Sequence, residues 1–162
     1  MIPTMDDRGV SIAVTHVLTI GITTILIGML LMSGSALLES ETERSTQTSL
    51  ETVGERLSGE IANVDRIANN SEDVTITADH PRTVANSQYT IEGLNETECH
   101  DIDASLVDED IPCLELTSQN TDVTVYVPLA LDNAEQVDGT VTGGEITIEY
   151  DDGNITISEA DR

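Results

Sequence analysis

The residues able to do covalent or coordination chemistry are few in this chain, and their spacing excludes more than it offers. Histidine occurs three times, at His16, His80 and His100, with no nucleophile elbow, glycine-rich phosphate loop or metal triad around it. Asp and Glu number 31, so frequent that no single pair stands out as an acid–base couple. The densest patch, Asp101, Asp103, Asp108, Glu109 and Asp110, does not follow a calcium loop, because Leu106 falls at the sixth position where the turn requires glycine. The residues therefore predict no catalytic set, no metal site, no cofactor and no enzyme. Cys99 and Cys113 are the only cysteines. Their even number suits a disulfide, which for a loop near this length stabilises by ~3 kcal/mol in the chain-entropy view. A zinc site shared with His80 or His100, without paired CxxC spacing, and two free thiols are the alternatives. Asn69, Asn95 and Asn154 each open an N-x-S/T sequon and are candidates for N-glycosylation.

Charge and hydropathy divide the chain that must position these residues. Its 162 residues carry a net charge of −25, and all 6 basic residues are arginine. Such a chain repels phosphate, which excludes nucleic acid as a partner through any basic patch. Absence of lysine with abundant Asp, Glu and Thr is the composition of proteins adapted to extreme salt. In molar salt, repulsion among carboxylates is screened within ~3 Å. From Val10 to Leu38, 29 residues pass without an Asp, Glu, Lys or Arg. As a helix rising ~1.5 Å per residue they would run ~43 Å, more than the ~30 Å hydrocarbon layer of a membrane. Beyond them, 29 acids stand against 5 arginines, so the charge belongs to the part expected to face water.

Within the apolar run, Ser11, Thr15, Thr19 and Thr23 recur every four residues, and Gly21 and Gly28 lie seven apart. Small residues of this kind let helices pack closely in lipid. The same hydroxyls can instead bond back to their own helix, and the sequence leaves both readings open. His16 lies inside the run, near its start.

After a stretch from Glu39 to Ser49 without apolar residues, read as a polar stalk, Leu50, Val53, Leu57, Ile61, Val64 and Ile67 recur at helical spacing. Gly54 and Gly59 interrupt this amphipathic helix and make a bend plausible. Alternation follows: Val74, Ile76 and Ala78; Val123, Val125, Val127 and Leu129; Ile146, Ile148 and Tyr150. Weaker strands are expected at 88–92 and 113–117, and a last one at 155–158 returns across Asp152-Gly153. Threonines and acids fill the opposite positions, the signature of an antiparallel sheet with one wet face. Its dry face needs a cover, and the amphipathic helix is the only one available.

The junction ahead of the apolar run carries the most specific signal. Asp7-Arg8-Gly9-Val10-Ser11, the run through Val17-Leu18-Thr19-Ile20-Gly21, and the acidic helix after Leu38 together resemble the archaeal type IV pilin-like proteins, particularly the haloarchaeal ones. The resemblance covers roughly residues 6 to 68. It implies a class III signal peptide cut by a prepilin peptidase between Gly9 and Val10, with Arg8 supplying the basic character before the cut. It also implies a lollipop-like arrangement, in which the long helix leads into a β head. Ile12 stands where abundant haloarchaeal pilins often carry proline, which points to a minor or accessory subunit. An ordinary secretory cut at Ser33-Gly34-Ser35-Ala36 is the competing reading of the same run.

The expected fold class is α+β: a leader over 1–9, a transmembrane or filament-core helix over 10–38, a polar stalk and amphipathic helix over 39–68, and an extracellular β-rich head over 69–162. The expected function is a pilin-like subunit of a type IV pilus-like filament or pseudopilus. Its partners are the membrane, the prepilin peptidase, other pilin-like subunits and the pilus assembly machinery. The alternative is a permanently anchored surface protein whose head binds a ligand or partner without polymerising.

Overall fold

A computed structural model describes residues 7–69, 73–100 and 111–160, excepting the side chains of residues 7–12, 36 and 100. The layout is α+β, as the patterning predicts. One helix, α1, runs Asp7–Ala68, and the chain divides within it into two compact units that meet between Glu41 and Thr42 in sequence. Eight strands and one short helix follow: β1 (Asp73–Asp79), β2 (Tyr89–Leu94), α2 (Glu96–His100), β3 (Cys113–Ser118), β4 (Thr124–Pro128), β5 (Gln136–Asp138), β6 (Thr140–Thr142), β7 (Glu145–Asp151) and β8 (Asn154–Glu159).

The expectation of one sheet is refined to two. The first has the order β1-β7-β8-β5 and the second β4-β3-β2-β6. Every pairing is antiparallel except β5 on β8, which is parallel. The β7–β8 hairpin falls where the sequence places it: Asp151 pairs with Asn154 across Asp152 and Gly153, both at positive φ. Two left-handed residues in a two-residue loop match the right-handed twist of the strands, which is why Asp-Gly is favoured there.

The second half of α1 fills the dry side of these sheets. Leu50, Leu57, Ile61 and Val64 are fully buried and share one core with Ile91 and Leu116 of the second sheet and Ile146, Ile148, Ile155 and Ile157 of the first. Two expectations need correction. Ile67 is 47% exposed, and Ala68 takes the buried place, because a 3.6-residue period after Val64 returns to the core face at the fourth residue. The polar stalk also ends sooner than expected: Thr46 is fully buried, its hydroxyl donating to Thr42 O at 2.8 Å. A residue needs only its methyl and an internal bond to join an apolar stripe, and a reading by hydrophobic letters passes over it.

The glycine expected to bend the helix has another reason to be there. A Cβ on Gly54 would stand 2.6 Å from Val127 Cγ2 and 2.9 Å from Leu116 Cδ1, so the missing side chain lets the helix backbone approach β3 and β4. Gly59 has no such neighbour, and α1 continues through both.

Candidate functional site

The feature that departs furthest from an ordinary soluble protein is the first part of α1. Residues 13–33 are all exposed, including Val17, Leu18, Ile20, Leu30 and Met32, the last at 79%. So much contiguous apolar surface is not left in water by a monomeric soluble protein. The helix is long and apolar enough to cross a membrane. Its backbone groups are satisfied within the helix, the condition for lying in hydrocarbon.

The small polar residues on it satisfy themselves. Thr19 donates its hydroxyl to Thr15 O at 2.8 Å, Thr23 to Thr19 O at 2.7 Å and Thr24 to Ile20 O at 2.8 Å. The bond back to the helix that the sequence allowed is thus made at Thr19 and Thr23. Gly21 and Gly28 have open space where a side chain would stand. At Gly21 this leaves an apolar notch bounded by Val14, Val17, Leu18, Ile22 and Ile25. Arg8, Gly9 and Val10 lie within the helical backbone, but their side chains and that of Ser11 fall outside the described set.

In the head, Cys99 and Cys113 form a disulfide with a Cα–Cα distance of 6.1 Å. Both are buried, packed with Leu94 and flanked by Tyr126. The bridge ties α2 to the start of β3 across 14 residues, which removes these sulfurs from any zinc site. Asn95 caps α2: its Oδ1 accepts from Glu98 N at 3.0 Å, and Glu98 Oε2 accepts from Asn95 N at 3.2 Å. This is a capping box, with Asn in place of Ser or Thr. Asn69 is exposed just past the helix end, and Asn154 is exposed at the start of β8. The acidic run from Asp101 to Asp110 lies outside the described residues. Among the described residues no group of three or more His, Cys, Asp or Glu is placed to hold a metal.

Two polar side chains with structural work were not singled out from sequence. Asp65 is fully buried on α1 and accepts backbone N–H groups from Asp132 at 2.7 Å, Asn133 at 3.1 Å and Ala134 at 2.7 Å. Asn133 returns a bond from Nδ2 to Asp65 O at 2.9 Å. One carboxylate thus fastens the loop before β5 to the helix. His80, expected in a polar loop, is buried, with Nε2 2.8 Å from Glu60 Oε2, while Glu60 also pairs with Arg56 at 3.2 Å. Neither was legible, because a helical Asp and a loop His carry no mark of the distant segment they meet. Tyr89 is buried too, and desolvation pushes its phenol up to about 12; its hydroxyl donates to Pro81 O.

A disulfide-stapled α+β head continuous with a helix of membrane-spanning length and composition defines a class of single-helix proteins with a compact acidic domain. Within that class the chain belongs to a family of unknown function, DUF7266, whose profile matches residues 5–158. No curated protein and no solved structure was found to match it. The family match begins before the Gly9–Val10 junction and runs to β8, so it takes in both the apolar helix and the head.

Proposed function

We propose that this chain is a pilin-like subunit, minor or accessory in role, of a type IV pilus-like filament or pseudopilus. It is inserted with its head outside, trimmed between Gly9 and Val10, and assembled by packing its apolar helix against those of other subunits. Its work is assembly and not catalysis. The observation that carries the reading is the opposite fate of the two parts of α1. Leu50, Val53, Leu57, Ile61 and Val64 are taken up by the core of the head, whereas residues 13–33 present apolar surface on all sides. A helix needed only to stop in a membrane has no reason to continue unbroken into the fold it carries; a filament subunit does, because that continuity transmits load from core to head. The layout is compatible with a pilin, and the junction resembles a class III signal. The acidic head suits an extracellular medium of high salt.

A second reading has its own support. Thr19, Thr23 and Thr24 close their hydroxyls on their own helix, so these polar atoms demand no partner helix, as a permanently anchored monomer would require. The two separate on one experiment. Gly9→Phe in the native host should leave full-length precursor in the membrane and remove the chain from sheared surface filaments. Filaments that never contain the wild-type chain, with a trimmed or untrimmed anchor in the membrane, would favour the second reading.

A further inference from the structure

We propose that Asn154 is an N-glycosylation site and that the face around it is the permanently solvent-facing side of the head. Asn154 opens β8, directly after the Asp152-Gly153 turn, and Thr156 completes its sequon two residues on. Alternation in the strand puts both side chains on the same side of the sheet, and both are exposed, while Ile155 between them is fully buried in the core. The register defines their surroundings. Asn154 lies beside Asp151 on β7 and Gln136 on β5, and Thr156 beside Glu149 and Asp138. Continuing across β7 to β1, the same side carries Thr147 against Thr77, Glu149 against Thr75 and Asp151 against Asp73.

This face of the four-stranded sheet thus bears threonine, serine, amide and carboxylate side chains, and neither an apolar residue nor an arginine. The cores of protein interfaces are built from aromatic and apolar groups with arginine, and depleted of acids. A face of this composition has no apolar area to bury against a partner, so it stays in water in an assembly. A glycan there displaces no packing contact, and at the adjoining turn Gly153 has open space around it. Asn95 differs, since its Oδ1 and backbone N–H are both engaged in capping α2.

The modification is a group transfer from a polyisoprenyl phosphate-linked or pyrophosphate-linked oligosaccharide. Nδ2 of Asn154 forms a bond to the anomeric carbon of the sugar, the bond from that carbon to the phosphate oxygen breaks, and the lipid phosphate leaves with the electron pair. The amide proton passes to a base of the transferase. Glycosylation rests on the head being exported, as in the proposed function.

The test is peptide mapping of the full-length chain purified from native membranes. Cleavage after Glu separates Asn154, in Tyr150–Glu159, from Asn95, in Gly93–Glu96. The expected result is a glycan mass on Tyr150–Glu159 that both Asn154→Gln and Thr156→Ala abolish. An unmodified Tyr150–Glu159, or a glycan confined to Gly93–Glu96, overturns the proposal. The unreduced map also reports whether Cys99 and Cys113 are linked. Linked cysteines with a bare Asn154 sink the glycan alone, whereas reduced cysteines with a bare Asn154 sink export of the head as well.

Discussion

Asp65→Ala tests whether the second half of α1 holds the head together by polar as well as apolar means. The carboxylate accepts three backbone N–H groups from 132–134, with the Asp132 and Ala134 bonds at 2.7 Å. Alanine leaves all three without a protein partner, and an unmade buried hydrogen bond costs roughly 1–3 kcal/mol. Asp132 is exposed and Asn133 and Ala134 are only half-buried, so water can replace part of the loss and the low end applies, about 1 kcal/mol each. The expected destabilisation is ~3 kcal/mol, a fall in Tm on the order of 10 °C for a head of this size. Asp65→Asn keeps one acceptor oxygen but turns an amide NH2 toward an N–H donor, so it should fall between wild type and alanine. Thermal unfolding of the full chain in detergent at high salt, followed by circular dichroism, gives both values. A drop of less than ~2 °C for alanine, or asparagine worse than alanine, would refute the reasoning.

Gly54→Ala should lower stability by roughly 1–3 kcal/mol, because overlap with Val127 and Leu116 outweighs the gain in helix propensity; Gly59→Ala, facing open space, should raise it by up to ~1 kcal/mol. Denaturant titration of the two variants side by side gives opposite signs if the close approach is real. Reduction of Cys99–Cys113 should cost about 3 kcal/mol by the chain-entropy argument, read as a lowered unfolding midpoint under reductant. Tyr89, at about 12 when folded against 10.0 as its ordinary value, stays neutral in the native head while the unfolded chain ionises. Its contribution is therefore complete below pH 10 and declines as pH rises toward 12, by on the order of 2 kcal/mol, and Tyr89→Phe should flatten that decline in stability measured against pH.

The sequence made the periodic elements legible and left their partners hidden. The stripe from Leu50 to Val64 and the alternations of β1, β4 and β7 were readable because burial imposes a period on apolar residues, and the run from Val10 to Leu38 because 29 residues pass without a charged side chain. The Asp-Gly turn was readable because its backbone conformation selects those residue types. Strands β5 and β6, three residues each, are too short to show a period. Ile67 was misplaced by one residue, since hydrophobic letters mark the stripe only where no small residue can substitute. Asp65 and His80 are buried polar groups whose partners lie far along the chain, and no local pattern announces that. At the candidate site, the apolar surface was fully legible, whereas the closure of Thr19 and Thr23 onto their own carbonyls was one of two local options and needed coordinates to decide.

The measurement closest to the central claim is the first residue of the mature chain. Intact-mass analysis and N-terminal sequencing of the protein from native membranes should find a chain beginning at Val10, with the apolar helix retained. A chain still beginning at Met1, or one shortened to Ala36, would contradict assembly through that helix.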